Sequence, residues 1–177
     1  MRKLKIEELN RVSVDEFRNM EKIPLVVVLD NIRSLNNIGS VFRTSDAFLV
    51  EAVYLCGITA VPPHAEIHKT ALGAEFSVEW KYFSDACEAV SALKENSYEV
   101  YAVEQVENSI SLEKLSIDKK KKYAAIFGNE VKGVQQKVVD ACFGAIEIPQ
   151  FGTKHSLNVS VTAGIIIWDF YRQLQTI

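Results

Sequence analysis

Residues 24–30 read PLVVVLD, an apolar run with three valines in a row and no polar alternation. A strand with one wet face alternates. A strand covered on both faces reads like this one, as a central strand of a parallel sheet does. Such a strand requires helices above and below it, so the rest of the chain has to alternate strands with helices. EAVYLCG (51–57), YEVYAVEQ (98–105), KYAAIFGNE (122–130) and FGAIEIPQ (143–150) read as further strands. Helices are expected at NIGSVFRTSDAFLV (37–50), with Ile38, Val41, Phe42 and Ala47 or Phe48 toward the sheet, and at SDACEAVSALKEN (84–96), with Ser84 as its N-cap. GVQQKVVDAC (133–142) supplies another. IEELNRVSVDEFRNM (6–20) has helical spacing at Ile6, Leu9, Val12 and Phe17 and is closed by Pro24. The predicted fold is α/β, a mainly parallel sheet with helices on both faces, preceded by a short N-terminal helical extension over 1–22.

At 177 residues, 48% of them hydrophobic, the chain can bury one good core. No apolar run is long enough to span a bilayer, and MRKLKIEELNRVSV carries charges where a signal peptide needs its apolar stretch, so a cytoplasmic protein with no membrane partner is expected. Cys56, Cys87 and Cys142 are odd in number and far apart, which reads as buried thiols; His64 and His68 read as a surface pair, and no metal site is expected. The net charge of -3 argues against a protein coated in positive charge. Local basic clusters stand against that average: Arg2, Lys3, Lys5 and Arg11, then Lys119, Lys120, Lys121 and Lys122. Alone, the lysine run reads as a solvated loop before a strand.

The last helix, expected from about Ser156 to the terminus, is apolar almost all round. Leu157, Val161, Ile165 and Trp168 mark one face, while Val159, Ala163, Ile166, Ile167 and Phe170 mark the others. A soluble helix of this kind needs cover on more than one side. The sheet provides one cover and a second subunit is expected to provide another.

In open parallel sheets ligands bind beyond the carboxyl ends of the strands, and three polar clusters fall there. In the first, Asn37 opens a helix whose N-terminal mouth favours anions, and Arg43 suits a phosphate; an N-cap Asn and a surface Arg paired with Asp46 would explain the same residues. In the second, Gly128 and Gly133 bracket Asn129 and Glu130 after a buried strand, without a dinucleotide fingerprint or a Walker loop. In the third, Ser156 can cap the final helix with Asn158 in its first turn, and the strained elbow of a serine hydrolase is missing.

Taken in order, the three clusters resemble the three motifs of the SpoU (TrmH) family of RNA ribose 2′-O-methyltransferases, within the SPOUT superfamily. NNIGSVFRTSDA (36–47) is similar to the first motif, IFGNEVKGV (126–134) to the second and IPQFGTKHSLNVSV (148–161) to the third. The resemblance runs from about Pro24 to the C-terminus and implies a methyltransferase domain over 23–177 with a C-terminal deep trefoil knot. It implies S-adenosylmethionine as cofactor, held by Phe127, Gly128, Asn129, Glu130, Ile148, Pro149, Gly152, Ser156 and Leu157, with Gly128 and Gly152 permitting close approach and Ile148 and Leu157 flanking the adenine. It implies Arg43 as the central catalytic residue, with Asn37, Glu130, Ser156 and Asn158 around it. Arg43 is then either the general base or a clamp on the phosphate beside the target ribose, and a guanidinium is essentially never neutral in proteins.

The family is dimeric through the knot, in agreement with the over-apolar last helix. A dimer could gather Lys119 to Lys122 and the basic N-terminus, with Arg43, into an RNA-facing surface. Thr162 stands where the family commonly has Ala. The substrate expected is structured RNA, tRNA ahead of rRNA, and the other reading is a non-catalytic RNA-binding dimer that keeps the fold.

Overall fold

The computed structural model describes residues 1–175. In chain order it runs through a 3-10 turn at Ile6–Leu9, α1 (Val14–Asn19), β1 (Ile23–Asp30), α2 (Leu35–Ala47), β2 (Val50–Cys56), α3 (Ala65–Ala71), α4 (Ala74–Ser77) and β3 (Glu79–Phe83). It continues through α5 (Ala86–Glu95), β4 (Tyr98–Val103), β5 (Ile110–Ser111), β6 (Lys122–Phe127), α6 (Gln136–Ala141), β7 (Gly144–Glu147) and α7 (Val159–Leu174). Seven strands, all parallel, form one sheet in the order β3-β2-β1-β6-β4-β7-β5.

The valine run of β1 is central and covered on both faces. Leu25, Val27 and Leu29 pack with Ile38, Val41 and Phe42 of α2 and Ile166, Ile167 and Phe170 of α7. Val26 and Val28 point the other way, toward Ala89, Val90 and Leu93 of α5 and Val138 of α6. Alternation along β1 therefore feeds two apolar cores, which is why no polar residue interrupts it. The chain works outward from β1 to β2 and β3, then crosses to build the other half, so the order reverses between β1 and β6. Where the order reverses, the loops leaving the two strands diverge to opposite faces and open a ligand crevice at their carboxyl ends.

Several expectations need correction. The N-terminal helix is broken: Asn10 is left-handed at φ 47°, and Ser13 starts α1 afresh by accepting from the Glu16 N–H, so Leu9 and Val12 stay exposed. Phe17 reaches the core, at 4% exposure. Asp85, not Ser84, caps α5, since its carboxylate accepts from the Cys87 N–H at 2.8 Å while Ser84 donates to Glu88. In α2, Ser34 is the cap and Asn37 lies inside the first turn; Ala47 is exposed. The last helix begins at Val159 with Asn158 as its cap, and Ser156 lies before it; Thr176 and Ile177 are outside the described residues. Among the thiols only Cys56 is fully buried, and burial pushes it up to about 12; Cys87 and Cys142 are half-buried. His64 caps α3, and the exposed His68 places Nδ1 2.5 Å from the buried Glu75 carboxylate. Helices α3 and α4 and strands β3 and β5 were not anticipated.

Candidate active site

The crevice at the ends of β1 and β6 is closed by the three polar clusters. Asn129, just past β6, donates its side-chain amide to the Asn31 carbonyl at 2.8 Å and uses its Oδ1 to accept from the N–H groups of Val131 and Lys132. That holds the turn after β6 against the loop after β1. Glu130 then accepts from the backbone N–H groups of Arg33 and Ser34 and from the Asn37 amide, each at 3.3 Å. Its carboxylate so occupies the anion-favouring start of α2. Burial would raise this carboxyl, but backbone hydrogen bonds from Glu130 itself, Arg33 and Ser34, with that from the Asn37 side chain, outweigh it and hold the group below its ordinary value.

Asn158 completes the set. Its Oδ1 caps α7 by accepting from the Ser160 N–H at 2.9 Å, while its amide donates to Asn37 Oδ1 at 3.2 Å. Asn37, Glu130 and Asn158, from three stretches far apart in sequence, are thus joined through Asn37. Arg43 and Ser156 are not part of this chain of bonds. Arg43 is exposed six residues along α2 from Asn37, roughly 9 Å of helix rise, and its guanidinium has no partner among the described residues. The surface pair with Asp46 is not made; Asp46 accepts from the Ser77 hydroxyl instead.

Beside the three residues opens a cavity of about 560 Å³, within the usual range for a small-molecule site. Of the residues expected to hold the cofactor, Phe127, Gly128, Asn129, Glu130, Ile148, Ser156 and Leu157 line it. Pro149 does not; it lines a smaller hollow with Asp169 and Arg172. Gly152 does not either, and a Cβ there would meet nothing within 4 Å. At Gly128 the chain's own backbone leaves no room for a side chain: a Cβ would lie 2.1 Å from the Val134 nitrogen and 2.2 Å from the Gly133 carbonyl carbon.

The cavity has apolar walls from Val103, Val106, Ile146, Ile148 and Leu157, and polar backbone from the turn after β6. That donor set suits a nucleoside-bearing cofactor, since a flat base can sit between aliphatic side chains while backbone groups take its edges. Sequence reading missed Glu104, which also lines the cavity and ties the two halves of its rim by accepting from the N–H groups of Gln105 and Val134, each at 3.0 Å. Gly133, at φ 66°, has no Cβ where one would lie 2.1 Å from Glu104 Oε2. The available signal was position alone, a carboxylate directly after a buried strand.

The proposed RNA-facing lysines lie elsewhere. Lys122 begins β6, at the opposite end of the sheet from the cavity, with its ammonium over the Tyr98 ring, and Lys121 is paired with Glu99.

Comparison with known proteins agrees with this geometry. The SpoU rRNA Methylase family profile matches residues 24–168. The tRNA (guanosine(18)-2′-O)-methyltransferase of Thermus thermophilus is 31% identical over 166 residues, covering 94% of this chain and 84% of that protein. The 23S rRNA (guanosine-2′-O-)-methyltransferase of Neisseria meningitidis is 29% identical over 159 residues, covering 90% of this chain and 62% of that protein. Among solved structures, the A. aeolicus TrmH/SpoU tRNA modifying enzyme superposes with a TM-score of 0.79 at 25% identity, covering 90% of this chain and 80% of that one. The AdoMet-bound rRNA methyltransferase of Sinorhizobium meliloti gives 0.79 at 24% identity, covering 90% and 61%, and shares the fold. From the profile match and the three joined motifs together, the chain belongs to the SpoU rRNA methylase family.

Proposed function

We propose that this chain transfers a methyl group from S-adenosylmethionine to the ribose 2′-hydroxyl of a nucleotide in structured RNA, with tRNA the first substrate to try. The observation that carries the reading is the linkage of Asn37, Glu130 and Asn158 at the mouth of a cavity walled by the second and third motifs. The preference for tRNA leans on the Thermus relative, and relatives named for rRNA are nearly as similar.

When bound, S-adenosylmethionine supplies an electrophilic sulfonium methyl. Ile148 and Leu157 would flank its adenine, and the backbone of Phe127–Asn129 would take its polar edges. Glu130 fixes the start of α2, and Asn37 and Asn158 hold that helix against the third motif, so positioning is the chain's main contribution to rate. The ribose hydroxyl must lose its proton as it attacks. Arg43, always charged and unpartnered here, fits the clamp role better than the base role: it would grip the phosphate beside the target ribose and stabilise the developing alkoxide while a phosphate oxygen or water takes the proton.

Two further parts belong to the same reading. A trefoil knot is supported by the strand order. β7 lies between β4 and β5, and residues 104–109, which join those two, bridge it at the level of Ile146, so the chain leaving β7 for α7 has to pass that bridge. A homodimer is supported by the exposed Val161, Ile165 and Trp168 on one face of α7. Dilute sedimentation as a monomer would sink the dimer.

The deciding experiment is methyl transfer from labelled S-adenosylmethionine to total tRNA and, separately, to rRNA from cells lacking the gene, with wild type and Arg43→Ala. Label on one pool that vanishes with the variant is expected. Full activity of Arg43→Ala excludes both roles for the arginine, and no binding of the cofactor by wild type returns the chain to a non-catalytic RNA-binding protein.

A further inference from the structure

Phe151 is 94% exposed, on the segment that joins β7 to α7. Both flanks of that segment line the cavity, through Ile148 and Gln150 before it and His155 and Ser156 after it, so Phe151 stands on the cavity's rim. The rim is held in place where the Gln105 amide donates to the His155 carbonyl at 3.2 Å. An aromatic ring left in water forgoes the largest burial energy a side chain can contribute, and a fold gains nothing by placing it there.

The cavity's own carboxylates are Glu104, Glu130 and Glu147, the first two taken up by backbone N–H groups, and three cationic residues belong to the same loops. Lys154 is three residues on from Phe151; Lys132 lines the cavity from the turn after β6; Arg33 meets that same turn through its backbone bond to Glu130. None of these three side chains has a carboxylate partner among the described residues, whereas Lys69, Lys121 and Lys137 on other parts of the surface are each paired. Residues 150–158 include Lys154 and His155 and no carboxylate. A second copy of the same segment docking isologously on Phe151 would bring like charges together, whereas a polyanion with flat apolar faces satisfies both the ring and the cations.

We propose that Phe151 is a stacking platform for an unpaired base next to the target nucleotide, with Arg33, Lys132 and Lys154 taking the phosphates around it. The inference rests on the methyl-transfer reading above and narrows its substrate to RNA whose target lies in an unpaired loop. A base inside a continuous duplex keeps both faces covered by its neighbours and has none to offer the ring.

The test uses the full chain with three probes: an unpaired RNA oligonucleotide, an RNA duplex of the same length, and S-adenosylmethionine. Phe151→Ala is expected to weaken binding of the unpaired RNA roughly tenfold while leaving duplex and cofactor affinity unchanged. Phe151→Trp restores the affinity, and its added fluorescence, over that of Trp80 and Trp168, is quenched by the unpaired RNA only. Lys132→Gln and Lys154→Gln each reduce the slope of log affinity against log salt by about 0.7. Wild-type affinity of Phe151→Ala for unpaired RNA overturns the inference, and so does a variant that spares RNA binding while dissociating the dimer. A wild type that transfers methyl normally beside an unaffected variant refutes the platform alone. A wild type that neither binds RNA nor transfers methyl refutes the methyl-transfer reading, and the platform with it.

Discussion

Glu130 offers the sharpest test of how the site is held. Its carboxylate accepts from Arg33, Ser34 and Asn37, each at 3.3 Å and open to solvent, so each bond falls at the weak end of the range, about 0.5 kcal/mol. A negative charge at the start of a helix adds about 0.5 kcal/mol. Glu130→Ala should then cost about 2 kcal/mol and Glu130→Gln, which keeps the shape and loses the charge, about 1 kcal/mol. The sign with pH follows from the lowered carboxyl. A folded pKa below the unfolded one gives stability that is fully present above the unfolded value, about 4.3, and is lost as pH falls through the folded value. Urea unfolding of wild type and Glu130→Gln at pH 7, repeated stepwise into acid, should show a gap that closes below about pH 4. A gap that persists unchanged in acid would refute the charge argument, and no gap at any pH would refute the linkage itself. Methyl transfer by Glu130→Ala should fall roughly a hundredfold, because the first and second motifs are no longer held in register.

Gly128→Ala forces a Cβ onto the backbone of Gly133 and Val134; it should cost at least about 3 kcal/mol and abolish cofactor binding, checked by denaturation and by isothermal titration. Asn158→Ala removes the cap of α7, about 1 kcal/mol, and its link to Asn37, so activity should drop much further than stability; equal losses would contradict the shared role. Phe42→Ala, in the core between α2 and the sheet, should cost about 3–5 kcal/mol in chemical unfolding. Trp168→Glu puts a charge on the exposed face of α7 and should convert a sedimenting dimer into monomer while leaving the circular dichroism of the fold intact.

The legible parts of the fold were those whose burial imposes a pattern. β1 and β6 are covered on both faces and so appear as unbroken apolar runs, and α2 shows Ile38, Val41 and Phe42 at helical spacing. β3 was illegible because it lies at the sheet edge and buries little: Glu79, Lys81 and Tyr82 are exposed, and neither period is written into EWKYF. β5, two residues long, takes its identity from its neighbour β7. At the site, the motifs picked out Asn37, Glu130 and Asn158, but the choice between Ser156 and Asn158 as cap depends on where the preceding loop turns, which local sequence leaves open. Glu104 was out of reach because its partner, the Val134 N–H, is 30 residues away and is met only once β6 has been placed beside β4.

The placement of β6 also bears on how such a chain reaches its native state. β1 and β4 become neighbours of β6 on either side, yet β6 begins 92 residues after β1 ends. During synthesis, both strands leave the ribosome with an open hydrogen-bonding edge that nothing upstream can fill, and Asn37 waits for its partners Glu130 and Asn158, which lie in the last third of the chain. Sheet closure is therefore a late, non-local event that carries a large loop-closure entropy. Nascent chains stalled before Lys122 should be the species that chaperones hold and proteases find.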